Sequence, residues 1–167
     1  MKPPIVRSAK ISDLQQITNI YAHYVKEGRA SFEVNAPNRE EMLRRYTAIV
    51  DAGYPFRVAV GEERDVLGFA YASSYRARPA YRFTVEDSIY VKASELHQGI
   101  GKLLLTDLIK SCENLGFKQM VAIIGNGKDS ASFHLHKALG FRYVGTLHAV
   151  GFKFGEWLDS VILQRSL

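Results

Sequence analysis

The sequence predicts an α/β domain of three layers, in which a mixed sheet is covered by helices on both faces. Helical and strand patterns alternate through the second half of the chain, and segment 118–124 is almost entirely apolar, as expected of a strand buried on both faces. The chain has 167 residues, of which 47% are hydrophobic, and shows neither a linker nor an internal repeat. We therefore expect a single domain over residues 1–167.

Four helices are predicted from apolar residues at helical spacing and from the residues that bound each run. They span residues 12–27, 38–52, 102–115 and 130–139, and a glycine follows each of them. The first is expected to begin at Ser12, because Gln15 follows three positions later, as in a capping box. Asn38 is expected to begin the second for the same reason, with Glu41 in the capping position.

Strands are predicted where apolar residues alternate with polar ones or form a short continuous run. They cover residues 56–60, 66–75, 84–91, 118–124, 141–150 and 157–164, with an additional candidate at 5–8. Segments 56–60 and 66–75 flank a polar turn and are expected to form an antiparallel hairpin. Along 84–91, Glu86, Ser88 and Tyr90 share one face, while Asp87 falls on the opposite, apolar face.

Composition argues against several classes of protein. The net charge is +5, but the basic residues are scattered and form no stripe of the kind that nucleic-acid-binding proteins show. No apolar run approaches the length of a membrane span, and the N-terminus lacks the apolar core of a signal peptide. The lone cysteine, Cys112, fits a reducing, cytoplasmic setting. The five histidines form no ligand-spaced cluster, so we expect no metal.

The turn after strand 84–91 is the strongest functional signal. Its Gly-x-Gly sequence, at Gly99 and Gly101, opens a predicted helix. Such a turn leaves several backbone N–H groups unpaired and directed at one point, where they bind phosphate oxygens with help from the helix dipole. The strand that leads into it carries an acid, Glu86, two residues before Ser88. The pattern indicates a phosphate-bearing cofactor beside a proton-transfer site.

Four segments resemble the GCN5-related N-acetyltransferase (GNAT) superfamily, and within it the phosphinothricin and methionine sulfoximine acetyltransferase branch. They are TVEDSIYV, VAIIG, LHKALGF and VGFKFGEWLD, and they occur in the order and approximate spacing of that branch. The resemblance covers about residues 5–167. It implies the GNAT fold, with a central, mostly antiparallel mixed sheet, and acetyl-CoA as co-substrate.

The resemblance also implies which residues bind acetyl-CoA. The pyrophosphate site is the turn that starts at Leu96, where the family usually has Arg or Gln, and continues through His97, Gln98, Gly99, Ile100, Gly101 and Lys102. Backbone N–H groups of Ile89, Tyr90 and Val91 are expected to hold the acetyl carbonyl. Ser132 is a further expected contact. The family's pantetheine-binding Asn corresponds either to Asn126 or to Asp129.

Acetyl transfer requires a neutral amine, because an ammonium group has no lone pair. The resemblance favours Glu86 as the base that removes the proton, directly or through a water. Its alternative is an ion pair with a nearby arginine, or a solvated position at the sheet rim. His136 occupies the place where many family members have a Tyr that protonates the departing thiolate. Its alternative is a histidine that only packs beside CoA or hydrogen-bonds inward.

Four residues are expected to bind the acceptor. Arg76 can grip anionic groups with its guanidinium fork, although a solvated loop arginine is the alternative. Ser88 lies on the same strand face as Glu86. Phe32 is expected to wall the pocket, with core packing as the alternative. Lys153 is expected near the substrate mouth, in a hairpin that the family reading also places at a homodimer contact.

The sequence therefore predicts an acetyltransferase for the α-amine of a small anionic amino acid. By resemblance the substrates are phosphinothricin, methionine sulfoximine or methionine sulfone, acetylated by direct transfer in a ternary complex. One alternative is acetylation of another small amine or a protein N-terminus, which an open acidic groove would favour. Another is a non-catalytic acyl-CoA-binding module, which would be indifferent to Glu86→Gln.

Overall fold

The computed structural model describes residues 3–125 and 127–167. Within them, seven strands form one sheet in the order β1-β2-β3-β4-β5-β7-β6. The strands are β1 (Ile5–Ser8), β2 (Phe56–Val60), β3 (Val66–Ser74), β4 (Thr84–Val91), β5 (Gln119–Ile124), β6 (Arg142–Lys153) and β7 (Glu156–Ser166). β4 and β5 run parallel, and the other five neighbouring pairs are antiparallel. The predicted fold class is confirmed, as is the candidate first strand.

Two hydrophobic cores cover the two faces of the sheet, because successive side chains along a strand point to opposite sides. The helices are α1 (Leu14–Glu27), α2 (Arg39–Asp51), α3 (Ile100–Asn114) and α4 (Ala131–Ala138). On β2, Val58 packs with the apolar faces of α1 and α2, while its neighbour Ala59 packs with α3. No helix of the described residues is long and apolar enough to cross a membrane.

The first helix begins differently from the prediction. Ser12 lies inside a short 3₁₀ turn, Ile11–Asp13, and the capping group is the carboxylate of Asp13, which accepts the N–H of Lys10 at 2.8 Å. Arg7 grips the same carboxylate with two hydrogen bonds of 2.7 and 2.9 Å, and this contact lowers the pKa of Asp13. A buried, ionised carboxylate is a stronger acceptor than a serine hydroxyl, so it determines where the chain turns.

The other predicted helix starts are confirmed or shifted slightly. Asn38 accepts the N–H of Glu41 at 2.9 Å, and Ser130 accepts that of Phe133 at 3.2 Å, so each caps the helix that follows it. α3 starts at Ile100, two residues before the predicted start. The β6–β7 hairpin is longer than predicted, and its turn has two residues, Phe154 and Gly155, with φ of 54° and 75°. Two positive φ angles match the right-handed twist of a hairpin.

The sheet opens between β4 and β5. The parallel pairing of these strands runs from Thr84 opposite Gln119 only as far as Asp87 opposite Ala122. β4 nevertheless continues to pair with β3 up to Val91. One edge of β4 therefore has no strand partner beyond Asp87 among the described residues, and a cleft begins at that point.

Candidate active site

A cleft of about 1140 Å³ lies where β4 and β5 separate, bounded by the turn before α3, by α4 and by the loop after α1. It brings together most residues that the sequence singled out. Those lining it are Phe32, Glu86, Ser88, Ile89, Tyr90, Val91, Leu96, His97, Gly99, Ile100, Gly101, Lys102, Ser132 and His136. Gln98, Asp129, Arg76 and Lys153 do not line it, and Asn126 falls outside the described residues.

The turn before α3 forms a cradle of backbone N–H groups. His97 and Gly99 have φ of 62° and 82°, and the first helical hydrogen bond runs from Leu103 N–H to the Gly99 carbonyl at 3.0 Å. The N–H groups of residues 100–102 have no backbone acceptor within the described chain. A Cβ added to Gly99 would meet no atom within 4 Å, so the space in front is open. The unpaired N–H groups, the positive end of the α3 dipole and the open space together suit the binding of a phosphate group.

Gln98 is not among the residues that line the cleft, and its expected contact with the pyrophosphate stays a prediction. Its side-chain amide donates to the carbonyl of Ser94 at 3.2 Å, which ties the turn to the segment before it. Gln98 therefore shapes the loop, while its neighbours face the cleft.

The unpaired edge of β4 supplies a second set of backbone groups. Ile89, Tyr90 and Val91 lie there and line the cleft, in the position expected for a carbonyl-binding edge. The hydroxyl of Tyr24, on α1, donates to the Val91 carbonyl at 2.6 Å and fixes the end of the strand. The sequence analysis did not identify this role of Tyr24.

Glu86 projects into the cleft from the middle of β4 and is partly buried. It forms no hydrogen bond or ion pair with any described residue, so the alternative of an arginine pair is not what the structure shows. Burial raises the pKa of its carboxyl, the neighbouring Asp87 raises it further, and the positive charge of Arg76 lowers it by less. An unpaired carboxylate with a raised pKa in a cleft is suited to accepting a proton.

His136 lines the cleft but is almost fully buried, and its contacts favour the second of its two alternatives, a histidine that hydrogen-bonds inward. The residue is 1% exposed. Its Nδ1 donates to the Ser132 carbonyl at 2.7 Å, and its Nε2 lies 2.9 Å from Oδ2 of Asp87. Burial opposes its charge, but the Asp87 carboxylate and the Ser132 carbonyl outweigh that effect, and the net result is a raised pKa. Both ring nitrogens are thus committed to protein groups.

Asp87 is the residue that sequence reasoning missed. It is 6% exposed, and its Oδ1 has no hydrogen-bond partner among the described residues. The signal was present, because strand alternation placed this acid on the apolar face. A buried carboxylate needs a partner. His136 is that partner, from a helix 49 positions later in the chain.

Lys153 lies in a different position from the one expected. It is 4% exposed, and its ammonium donates to the carbonyls of Gly28 and Ser31 at 2.8 and 2.7 Å. It therefore anchors the loop after α1 and does not reach the cleft. Arg76 is exposed, with its guanidinium 5.1 Å from the ring centroid of Tyr75. Its contact with an anionic acceptor stays a prediction.

The remaining predicted residues differ in their placement. Ser132 lines the cleft with its hydroxyl 3.4 Å from Nδ1 of His136. Asp129 is exposed and is not among the residues that line the cleft, and its contact with the pantetheine arm stays a prediction. Among the described residues, no group of three or more His, Cys, Asp or Glu side chains could hold a metal ion.

Comparison with known proteins agrees with this geometry. Residues 6–162 match the acetyltransferase (GNAT) domain family. The chain is 48% identical over 164 residues to phosphinothricin N-acetyltransferase of Alcaligenes faecalis, covering 97% of this chain and 82% of that protein. It is 36% identical over 163 residues to L-methionine sulfoximine/L-methionine sulfone acetyltransferase of Salmonella typhimurium, covering 97% of this chain and 94% of that protein.

A solved structure extends the match to three dimensions. The GNAT superfamily phosphinothricin acetyltransferase of Sinorhizobium meliloti, in complex with AcCoA, superposes with a TM-score of 0.96 at 46% identity, covering 99% of this chain and 89% of that one. Family match, relatives and fold agree with the cradle and cleft described above. The chain is therefore an N-acetyltransferase and belongs to the GNAT family.

Proposed function

We propose that the protein transfers the acetyl group of acetyl-CoA to the α-amine of a small anionic amino acid such as phosphinothricin, methionine sulfoximine or methionine sulfone. The observation that carries the proposal is Glu86, an unpaired and partly buried carboxylate in a cleft whose other end is a phosphate cradle. The names of the two relatives, each similar over nearly the whole chain, support this class of acceptor.

The residues present fit acetyl-CoA. Backbone N–H groups of residues 100–102 would hold its pyrophosphate, and Lys102 lines the same end of the cleft. The unpaired edge of β4 at Ile89–Val91 would hold the acetyl carbonyl. When bound, the thioester supplies an activated acyl group. The protein's own task is to orient that group and to deliver a neutral amine to it.

Glu86 would provide the neutral amine. The α-amine arrives largely protonated near neutral pH, and a carboxylate can accept its proton directly or through a water. Because burial raises the pKa of Glu86, its carboxylate is a stronger base than a solvated one. Ser88, two residues along the same face, and Phe32 across the cleft would border the amino acid.

His136 would have a structural role. Its two ring nitrogens are engaged with Ser132 and Asp87, and this geometry supports the inward-bonding alternative. We propose that the pair holds α4 against β4 behind the reacting groups. The CoA thiolate, a tolerable leaving group, would then depart without a histidine acid.

A homodimer and a cytoplasmic location belong to the same proposal. β6 is an edge strand of the sheet, and the β6–β7 hairpin exposes a set of large apolar side chains. They are Val144, Leu147, Val150, Phe152, Phe154 and Trp157. Such a patch on an edge strand supports pairing with a second copy. Sedimentation of the wild type and of Trp157→Lys measures the dimer, which the charged variant should weaken.

The proposal is tested by thiol release from acetyl-CoA with a panel of acceptors and mass analysis of the products. The panel contains phosphinothricin, methionine sulfoximine, methionine sulfone, ordinary amino acids and peptides. Preferential acetylation of the three amino acids with a tetrahedral phosphorus or sulfur centre is the expected result. Turnover of peptides alone would overturn the acceptor class, and acetyl-CoA binding without any turnover would favour the acyl-CoA-binding module.

A further inference from the structure

The side chain of Phe32 sits in a slot between two glycines. A Cβ added to Gly125, just after β5, would lie 2.5 Å from Cε1 of Phe32. A Cβ added to Gly151, on β6, would lie 2.5 Å from Cε2 on the opposite edge of the ring. Carbon atoms do not approach so closely, so the ring can occupy this position only because both neighbours lack a side chain.

The backbone of the loop that carries Phe32 is held by its own hydrogen bonds, which do not involve the ring. This loop, residues 28–33, receives two hydrogen bonds from the buried ammonium of Lys153, to the carbonyls of Gly28 and Ser31. Ser31 is 5% exposed, and its hydroxyl lies 3.0 Å from that of Tyr21. Both Lys153 and Gly151 belong to β6, so one strand holds the loop and one edge of the ring.

The rest of the Phe32 ring faces the cleft. The residue is 39% exposed, and it lines the same cleft as Glu86. A wall of this kind limits the volume available beside the base. The buried ammonium has a lowered pKa because of desolvation, yet two carbonyl acceptors compensate for its removal from water.

We infer that Gly125, Gly151 and Lys153 are positioning residues that hold Phe32 as a fixed wall of the acceptor pocket and thereby limit which amino-acid side chains fit. Gly151 and Lys153 do not line the cleft, so they act through Phe32 and the 28–33 loop. Gly125 lines the cleft beside the ring and acts by leaving room for it. The inference rests on the proposed function in one respect, that the acceptor binds at the Glu86 end of the cleft.

A double-mutant cycle tests the slot. The variants are Gly151→Ala, Phe32→Ala and the pair, with KM measured separately for phosphinothricin and acetyl-CoA. The added methyl group should displace the ring, and Gly151→Ala should raise KM for phosphinothricin roughly tenfold, since an ångström of misplacement can cost even more. KM for acetyl-CoA should stay unchanged. In the Phe32→Ala background, Gly151→Ala should have no further effect, because there is no ring to displace.

Two further variants complete the design. Gly145→Ala is the matched control, because Gly145 lies on the same strand and its added Cβ would meet nothing within 4 Å. Lys153→Met removes the loop anchor and should raise KM for phosphinothricin while sparing KM for acetyl-CoA. An unchanged KM in Gly151→Ala, or an equal rise with and without Phe32, would overturn the inference.

Failure of the proposed function is distinguishable from failure of the slot. If the wild type acetylates only another amine, the acceptor class is wrong, and the same cycle is measured with that amine. The cycle also has a readout that needs no acceptor, the free energy of unfolding in urea. Compared with Gly145→Ala, which carries the same change in backbone entropy, Gly151→Ala should lower this free energy in the wild type and not in Phe32→Ala. Equal losses in both backgrounds would overturn the slot.

Discussion

The two ends of the cleft are formed by different kinds of chemical group, backbone groups at one end and side chains at the other. The end that we propose for acetyl-CoA consists of backbone groups, namely the N–H groups at the start of α3 and the unpaired edge of β4. The proposed acceptor end consists of side chains from separate elements: Glu86 from β4 and Phe32 from the 28–33 loop line it, and Arg76, in the loop before β4, is expected to reach the acceptor from outside the cleft. Backbone sites tolerate changes of side chain, whereas an acceptor pocket made of side chains can be altered without disturbing the cofactor. The comparison predicts that substitutions separate cleanly into two kinetic classes.

The largest effect is expected for Glu86→Gln. An amide cannot accept the proton of the amine, so kcat should fall by about 10²- to 10⁴-fold, the usual contribution of a general base. KM for acetyl-CoA should stay the same, because that end of the cleft is untouched. Steady-state thiol release with phosphinothricin measures both quantities. A variant with full kcat would show that the base lies elsewhere.

His136→Gln should lower the stability of the whole fold, because it removes the partner of the buried Asp87 carboxylate. Breaking a buried charge pair typically costs about 3–5 kcal/mol, and urea unfolding should show a loss of this order. The pKa of His136 is raised in the folded state, so its contribution is complete below its unfolded pKa of about 6.5 and is lost as pH rises through the folded value. The difference in unfolding free energy between wild type and variant should therefore shrink on raising the pH.

His134→Gln is the control for that experiment, since His134 is exposed on the same helix. It should unfold like the wild type at every pH. A pH-independent difference for His136→Gln would contradict the assignment of a charged pair with Asp87.

Gly99→Ala probes the backbone-built end. Gly99 and Gly116 lie at the two ends of α3 with φ of 82° and 87°, and a Cβ at either would meet nothing within 4 Å. Alanine should therefore cost about 1–2 kcal/mol of stability at each position. Only Gly99→Ala should also raise KM for acetyl-CoA, because its methyl group enters the phosphate cradle. Equal kinetics for the two variants would argue against a cradle at this turn.

Arg76→Ala probes the side-chain-built end and is expected to have a smaller effect. Loss of a charge-assisted contact from an exposed arginine should raise KM for phosphinothricin by about tenfold or less. Arg78→Ala is the control, since Arg78 is also exposed and lies two residues away. Similar increases in KM for both variants would indicate general electrostatic attraction of the anionic acceptor and not specific binding by Arg76.

The fold was predictable because local signals agreed with the tertiary structure. Glycines end the helices, and Asn38 begins α2 as its spacing indicated. The start of α1 was not predictable in the same way. There the capping carboxylate of Asp13 is held by Arg7 on β1. A contact between two separate elements cannot be predicted from the residues next to the helix start.

The same distinction explains the two ends of the cleft. The turn before α3 follows from the glycine spacing after a strand, which is a local signal, whereas its binding of phosphate stays a prediction. Alternation with Phe152 and Phe154 would place Lys153 on the exposed side of the hairpin, yet Lys153 is buried and both aromatic residues are exposed. The carbonyl groups that make its burial possible lie more than a hundred residues earlier. The role of His136 likewise depends on Asp87, which strand alternation marks as buried without naming its partner.

The most direct test of the account is the pH dependence of the single-turnover rate of acetyl transfer to phosphinothricin, in wild type and Glu86→Gln with acetyl-CoA saturating. Because the pKa of Glu86 is raised above its usual value, the wild-type rate should rise with pH as this carboxyl loses its proton, and it should rise again as the amine becomes neutral. The variant should be slow and should retain only the second rise, while binding acetyl-CoA as tightly as the wild type. Equal rates with identical pH profiles would contradict Glu86 as the base.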